Sequence, residues 1–155
     1  MIRKLKPYII SIIIALAVGG LSAFLTRGNM DLYETINTPA LAPPAILFPI
    51  VWTILYILMG ISAAAVYVKK ETADVSGALK TYALQLIVNF FWSIIFFNMR
   101  AYMFAFVWII LLWLLIIIMI MQFYRVRPVA AYLQIPYFLW VTFAAYLTFM
   151  VYILN

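Results

Sequence analysis

Five long apolar runs occupy most of this chain: Tyr8 to Leu25, Ile46 to Val68, Leu79 to Phe97, Met103 to Tyr124 and Val129 to Leu154. At about 1.5 Å rise per residue, each crosses a hydrocarbon core of roughly 30 Å as a helix. Helices are required, because lipid offers no partner to a free backbone N–H or C=O, and the runs lack the short alternating segments of a barrel. The hydrophobic share is 70% and the mean hydropathy +1.17, so too few polar residues remain to cover a water-facing surface. The sequence predicts an all-α integral membrane protein, one five-helix transmembrane domain over residues 1–155 with a long loop at 26–45. Met1 to Lys6 ahead of an apolar run has the outline of a secretory signal. The run is longer than a usual signal core and no small-x-small cleavage site follows it, so the first run is predicted to be a retained helix.

The charges orient the bundle. Arg3, Lys4, Lys6, Lys69, Lys70, Lys80, Arg125 and Arg127 fall at one end, and only Arg27 and Arg100 at the other. Cationic loops resist translocation, so the amino terminus is predicted to lie inside and the carboxyl terminus outside. The sequence pI is near 9.7, but the cations stand at span ends, where they snorkel to lipid phosphate. The partner implied is membrane lipid, not nucleic acid. A bacterial cytoplasmic membrane is the expected location, with a mitochondrial outer membrane as the alternative.

The chain has no Cys and no His. That removes disulfides, thiolate nucleophiles, His-based proton transfer and the usual ligands of zinc and haem iron, so no metal site and no required cofactor are predicted. No run carries an ionised side chain at its middle, whereas proton-coupled transporters place titratable groups there.

The connection between the first two runs is long and ends in a proline-rich stretch, Thr38-Pro39-Ala40-Leu41-Ala42-Pro43-Pro44. Proline fixes φ and removes backbone donors, so this segment is stiff: either a cap over the outer end of the bundle or a rigid linker into the second helix. Within the runs, residues four apart share a helix face. Gln85, Asn89 and Ser93 do so in the third, bordered by Trp92 and Phe96; Phe48, Trp52, Tyr56 and Gly60 in the second; Pro136, Trp140, Ala144 and Thr148, beside Leu147, in the fifth. An unpaired amide in hydrocarbon costs several kcal/mol, so Gln85 and Asn89 are expected to face inward. These stripes are either glue between helices or the lining of a ligand pocket. Ser11, Ala15, Gly19 and Ala23 form a small-residue stripe in the first run, suited to close helix approach within the bundle or across a dimer.

Several segments carry a family resemblance. Pro43, Pro44, Phe48, Pro49, Val51, Trp52, Thr53, Leu55, Tyr56, Met59 and Gly60 resemble the signature of the TspO family, the tryptophan-rich sensory proteins whose mitochondrial members are the translocator protein or peripheral benzodiazepine receptor. Gln85, Leu86, Asn89, Phe90, Trp92, Ser93, Phe96 and Phe97 resemble its third helix, and Pro136, Tyr137, Trp140, Phe143, Ala144 and Leu147 its fifth.

The resemblance implies a five-helix bundle, commonly a homodimer, with a pocket toward the end capped by the first loop. It implies a receptor or sensor for porphyrins, including protoporphyrin IX and haem, and for isoquinoline carboxamide and benzodiazepine-type drugs. Carried over by position, Tyr33, Pro43, Pro44, Trp52, Tyr56, Asn89, Trp92, Trp140, Ala144 and Leu147 are the expected ligand-binding residues, joined by Phe48 of the aromatic stripe. Such a set suits a flat apolar macrocycle, which wants aromatic walls and a few donors. With no His or Cys, a porphyrin is expected as a ligand held by its ring and carboxylates. Two alternatives follow: a light-dependent porphyrin-degrading enzyme, in which Trp52 and Trp140 would take part, and a transporter of porphyrins or other small apolar solutes. The chain departs from the family pattern at Leu32 and Leu41, where tryptophans are frequent, at Thr38, usually Lys, and at Thr148, commonly Asn.

Overall fold

In the computed structural model, residues 2–29 and 35–155 are described. Helix α1 spans Ile2–Thr26 and runs into a 3₁₀ turn at Arg27–Asn29; α2 is Leu47–Tyr67; α3 is Ser76–Ser93; α4 is Tyr102–Val126. The fifth span is built of two helices, α5 (Pro128–Leu133) and α6 (Ile135–Leu154). Five stretches are long and apolar enough to cross a membrane, and the protein is an all-α five-helix bundle.

Three helix limits differ from the apolar runs for physical reasons. Helix α1 starts at Ile2 because Arg3, Lys4 and Lys6 continue it into the headgroup zone. Helix α3 starts at Ser76, where the Asp74 carboxylate accepts hydrogen bonds from the Ser76 backbone N–H at 3.1 Å and from its hydroxyl at 2.9 Å. The fifth span breaks at Gln134 because Pro136 has no N–H to give the carbonyl one turn back.

Around the bundle α2 packs on α1, α1 on α3, α3 on α4, and α4 on α5 and α6. The ring closes where α5 meets α2, and small residues make that closure. Ala130 and Ala131 are fully buried, Ser62 donates its hydroxyl to the Ala130 carbonyl at 2.7 Å, and Arg127 reaches the Ala65 carbonyl at 3.3 Å. The α1–α2 contact is closer still. A methyl added at Gly60 would stand 2.6 Å from the Ile12 Cα, and one at Gly19 would run into the Tyr56 ring. Ala15 and Gly19 of the small-residue stripe of α1 thus serve contact inside the bundle, Ala15 being wholly buried, while Ala23 is exposed.

The cation-rich half is packed, with Val66, Ile116, Met119 and Phe123 fully buried and Met59 at its top. The opposite half, toward the long loop, is hollow.

Candidate functional site

The third span makes the turn that shapes the hollow half. After Ser93 the helix widens over Ile94–Asn98, and the Met99 N–H bonds the Ile94 carbonyl five residues back at 3.0 Å. Such π turns inside α-helices are frequent at functional sites. Here the turn lets Trp92, Ser93, Phe96 and Phe97 line one cavity wall, with Trp92 and Phe96 stacked at 5.4 Å between ring centroids. Helix α2 supplies Phe48, Trp52 and Tyr56 to the facing wall; α6 supplies Ala144, Leu147, Thr148 and Val151; α1 supplies Gly19, Ser22, Ala23 and Thr26. The space between these atoms, open solvent at the mouth included, is about 1040 Å³.

The floor is polar and closed by hydrogen bonds. The Tyr56 hydroxyl donates to Asn89 Oδ1 at 3.2 Å, Asn89 Nδ2 donates to the Tyr137 oxygen at 2.8 Å, and the Tyr137 hydroxyl donates to Gln85 Oε1 at 2.6 Å. This chain ties α2, α3 and α6 together in the bundle interior, where Gln85 is fully buried and Asn89 nearly so. Below it, both polar atoms of the buried Gln134 side chain, at the break in the fifth span, find no partner among the described residues.

The roof comes from the first loop. Thr38, Pro39 and Ala45 line the cavity, and a turn closed by Ala42 N–H on the Pro39 carbonyl at 3.0 Å keeps this stretch compact. Asparagines pin it. The Asn37 backbone N–H donates to Asn155 Oδ1 at 3.1 Å, Asn155 Nδ2 donates back to the Asn37 carbonyl at 2.9 Å, and Asn37 Nδ2 reaches the Leu154 carbonyl at 3.3 Å. On the other side Asn29 Nδ2 donates to Asn98 Oδ1 at 2.8 Å, and Asn98 Nδ2 to the Leu25 carbonyl at 3.0 Å.

Of the residues expected from sequence, Phe48, Trp52, Tyr56, Trp92, Ala144 and Leu147 converge on this one cavity. Asn89 is not in the lining and belongs to the floor network as a hydrogen-bond partner of Tyr56 and Tyr137. Trp140 is set on the outer side of the wall, in a groove between α2 and α6, and touches Phe48 edge-on at 5.7 Å. Pro43 and Pro44 lead into α2 and are not part of the lining. Tyr33 and Leu32 lie outside the described residues. The sequence reading missed Tyr137, the centre of the floor network, although its phenol directly after Pro136 on an apolar helix was a signal that a buried partner awaited it.

The five tryptophans divide by role. Trp108 and Trp113 of α4 donate to the Val88 carbonyl at 2.7 Å and to Thr142 Oγ1 at 2.8 Å, holding α4 to α3 and α6. Trp52 and Trp92 line the cavity, and the buried indole N–H groups of Trp92 and Trp140 find no partner among the described residues.

Comparison with known proteins decides the family. A model of the TspO/MBR family matches residues 11–154. The chain belongs to the TspO/MBR family. Among TspO/MBR relatives, a tryptophan-rich protein TspO from Chlorobaculum tepidum is 40% identical over 146 residues, 92% of this chain and 91% of that protein. A tryptophan-rich sensory protein from Cereibacter sphaeroides is 33% identical over 117 residues, covering 76% and 72% of the two chains. A translocator protein from Bos taurus is 32% identical over 136 residues, covering 84% and 79%. This TspO/MBR member is therefore an integral membrane protein, and five of the residues that family resemblance singles out, Trp52, Tyr56, Trp92, Ala144 and Leu147, line its hollow half.

Proposed function

We propose that the protein is a membrane receptor or sensor that holds a flat, largely apolar ligand of the porphyrin class, or a drug-like aromatic amide, in the loop-side cavity. The observation that carries this reading is a cavity walled by Phe48, Trp52, Tyr56, Trp92, Phe96 and Phe97 and closed below by a hydrogen-bonded floor. Aromatic walls stack on a macrocycle, while pockets of this kind take their specificity from a few polar groups. Thr26, Thr38, Ser22 and Ser93 supply hydroxyls in the lining, and the Trp92 indole is a buried donor beside it. Porphyrin is held as a ligand by its ring and its carboxylates, since His and Cys, the usual axial ligands of haem iron, are absent from the chain. The name of one relative speaks of a sensory protein and that of another of a translocator. A blind pocket favours the first, because a cavity with a floor retains its ligand.

The cation distribution supports an amino terminus inside and a cavity that opens on the outer side of a bacterial cytoplasmic membrane. The same reading has the protein as a homodimer, and Gly19 of the small-residue stripe, packed on the Tyr56 ring, belongs to the bundle interior in it.

The test is protoporphyrin IX titrated into detergent-purified protein, read by absorbance and tryptophan quenching in darkness and then under light, with Trp52→Phe alongside. Saturable dark binding weakened by the substitution supports the receptor. Protein-dependent bleaching abolished by Trp52→Phe would move the reading to a photochemical enzyme, and absence of saturable binding would remove the cavity as a ligand site.

A further inference from the structure

The cavity has two boundaries through which a ligand can pass. One is the roof, fastened by the paired asparagines Asn37 and Asn155 and by Asn29 and Asn98. The other is the seam between α2 and α6. Because the fifth span breaks at Gln134, α5 packs firmly on α2 while α6 stands off from it, leaving an apolar groove lined by Val51, Ile54, Leu58, Leu139, Trp140 and Phe143. Ile54 and Leu139 are 52% and 61% exposed on a span that faces hydrocarbon, so lipid bathes this groove.

The partition between groove and cavity is one aromatic layer thick. Phe48 lines the cavity and meets Trp140, which lines the groove, edge-on at 5.7 Å and 66°. Next to it Trp52 lines the cavity and meets Tyr137 at 6.3 Å, while Val51, its chain neighbour, lines the groove. The α1–α2 seam is shut by backbone contact, Gly60 on Ile12, and the α3–α4 seam carries a part-buried hydrogen bond from Trp108 to Val88. Ring against ring is a contact that side-chain rotation opens without breaking a hydrogen bond.

We propose that the ligand enters and leaves sideways, from the bilayer through the α2–α6 seam, with the Phe48–Trp140 pair as the gate. The inference rests on the reading of the cavity as a ligand site. It fits the ligand's chemistry, since a flat apolar molecule concentrates in hydrocarbon and reaches the groove from there without crossing the hydrogen-bonded roof.

The absence of cysteine allows a clean test. Asn37→Cys with Asn155→Cys, joined by a short bis-maleimide, fastens the roof to the end of the fifth span. Protoporphyrin IX preloaded in lipid vesicles is then presented to the protein in nanodiscs, and uptake and release are followed by tryptophan quenching. The cross-linked protein is expected to take up and release porphyrin at the rates of the uncross-linked double variant. Leu139→Trp, which fills the lipid-facing rim of the groove, is expected to slow both rates about tenfold or more while the equilibrium affinity holds, as a barrier raised by a side-chain clash does. Loss of uptake on cross-linking, or rates indifferent to Leu139→Trp, overturns the sideways route. Failure of porphyrin to bind even the uncross-linked protein would instead bring down the cavity reading beneath it.

Discussion

The Tyr137 hydroxyl donates to Gln85 Oε1 at 2.6 Å, and through that bond the lower end of α6 is tied to α3 in the centre of the bundle. Tyr137 is fully buried and also accepts from Asn89. Replacing it by Phe keeps the ring and strands a carbonyl and an amide N–H. Interhelical hydrogen bonds in membranes contribute about 0.6 kcal/mol on average, but unsatisfied buried groups cost about 1–3. Tyr137→Phe is expected to destabilise the protein by about 1–2 kcal/mol, seen as a lower melting temperature in detergent. An unchanged melting temperature would show that the network contributes nothing to stability.

Gly60 and Gly20 make a matched pair. A methyl at Gly60 would lie 2.6 Å and 2.8 Å from the Ile12 backbone, whereas one at Gly20 meets nothing within 4 Å. Overpacking against backbone costs about 1–3 kcal/mol, so Gly60→Ala is expected to lower thermal stability by that amount and Gly20→Ala to leave it unchanged or slightly raised. Equal effects of the two substitutions would contradict the described α1–α2 contact.

Ala144 lines the cavity with a methyl, so a larger side chain there takes the ligand's place. Ala144→Leu is expected to weaken protoporphyrin IX binding at least about tenfold, a loss of about 1.4 kcal/mol, with the melting temperature held or raised as hollow space is filled. Fluorescence titration and thermal melting together check both halves of the expectation.

Asp74 lies outside the spans. The backbone N–H and then the hydroxyl of Ser76, both bonded to its carboxylate, hold its pKa below the ordinary value. A carboxyl with a depressed folded pKa stabilises above its unfolded pKa, and that contribution is lost as pH falls through the folded value. The first turn of α3 is therefore expected to fray on acidification below the ordinary carboxylate range. Amide exchange at Ser76 and Gly77, corrected for intrinsic rates, should show that loss of protection, and Asp74→Asn should remove its pH dependence.

The spans were legible because the bilayer allows a run of apolar residues so few conformations. The stripes were legible for a related reason: Phe48, Trp52 and Tyr56 stand four apart, and that period places them on one wall of the cavity. Trp140 obeys the same period as Ala144 yet faces the groove, because the break at Gln134 and the resulting lean of α6 decide which part of a stripe looks inward. Spacing along one helix carries no record of that lean. Nor does it carry the Asn37–Asn155 pairing, whose partners are separated by nearly the whole bundle and meet only once five helices are packed.

The floor of Tyr56, Asn89, Tyr137 and Gln85 also divides the membrane's insulation unevenly. The packed half around Ile116, Met119 and Phe123 lies beneath it and separates the hollow upper half from the cation-rich end. A solute bound for the far side would have to part three consecutive hydrogen bonds and then a solid core. A molecule content to stay need disturb neither.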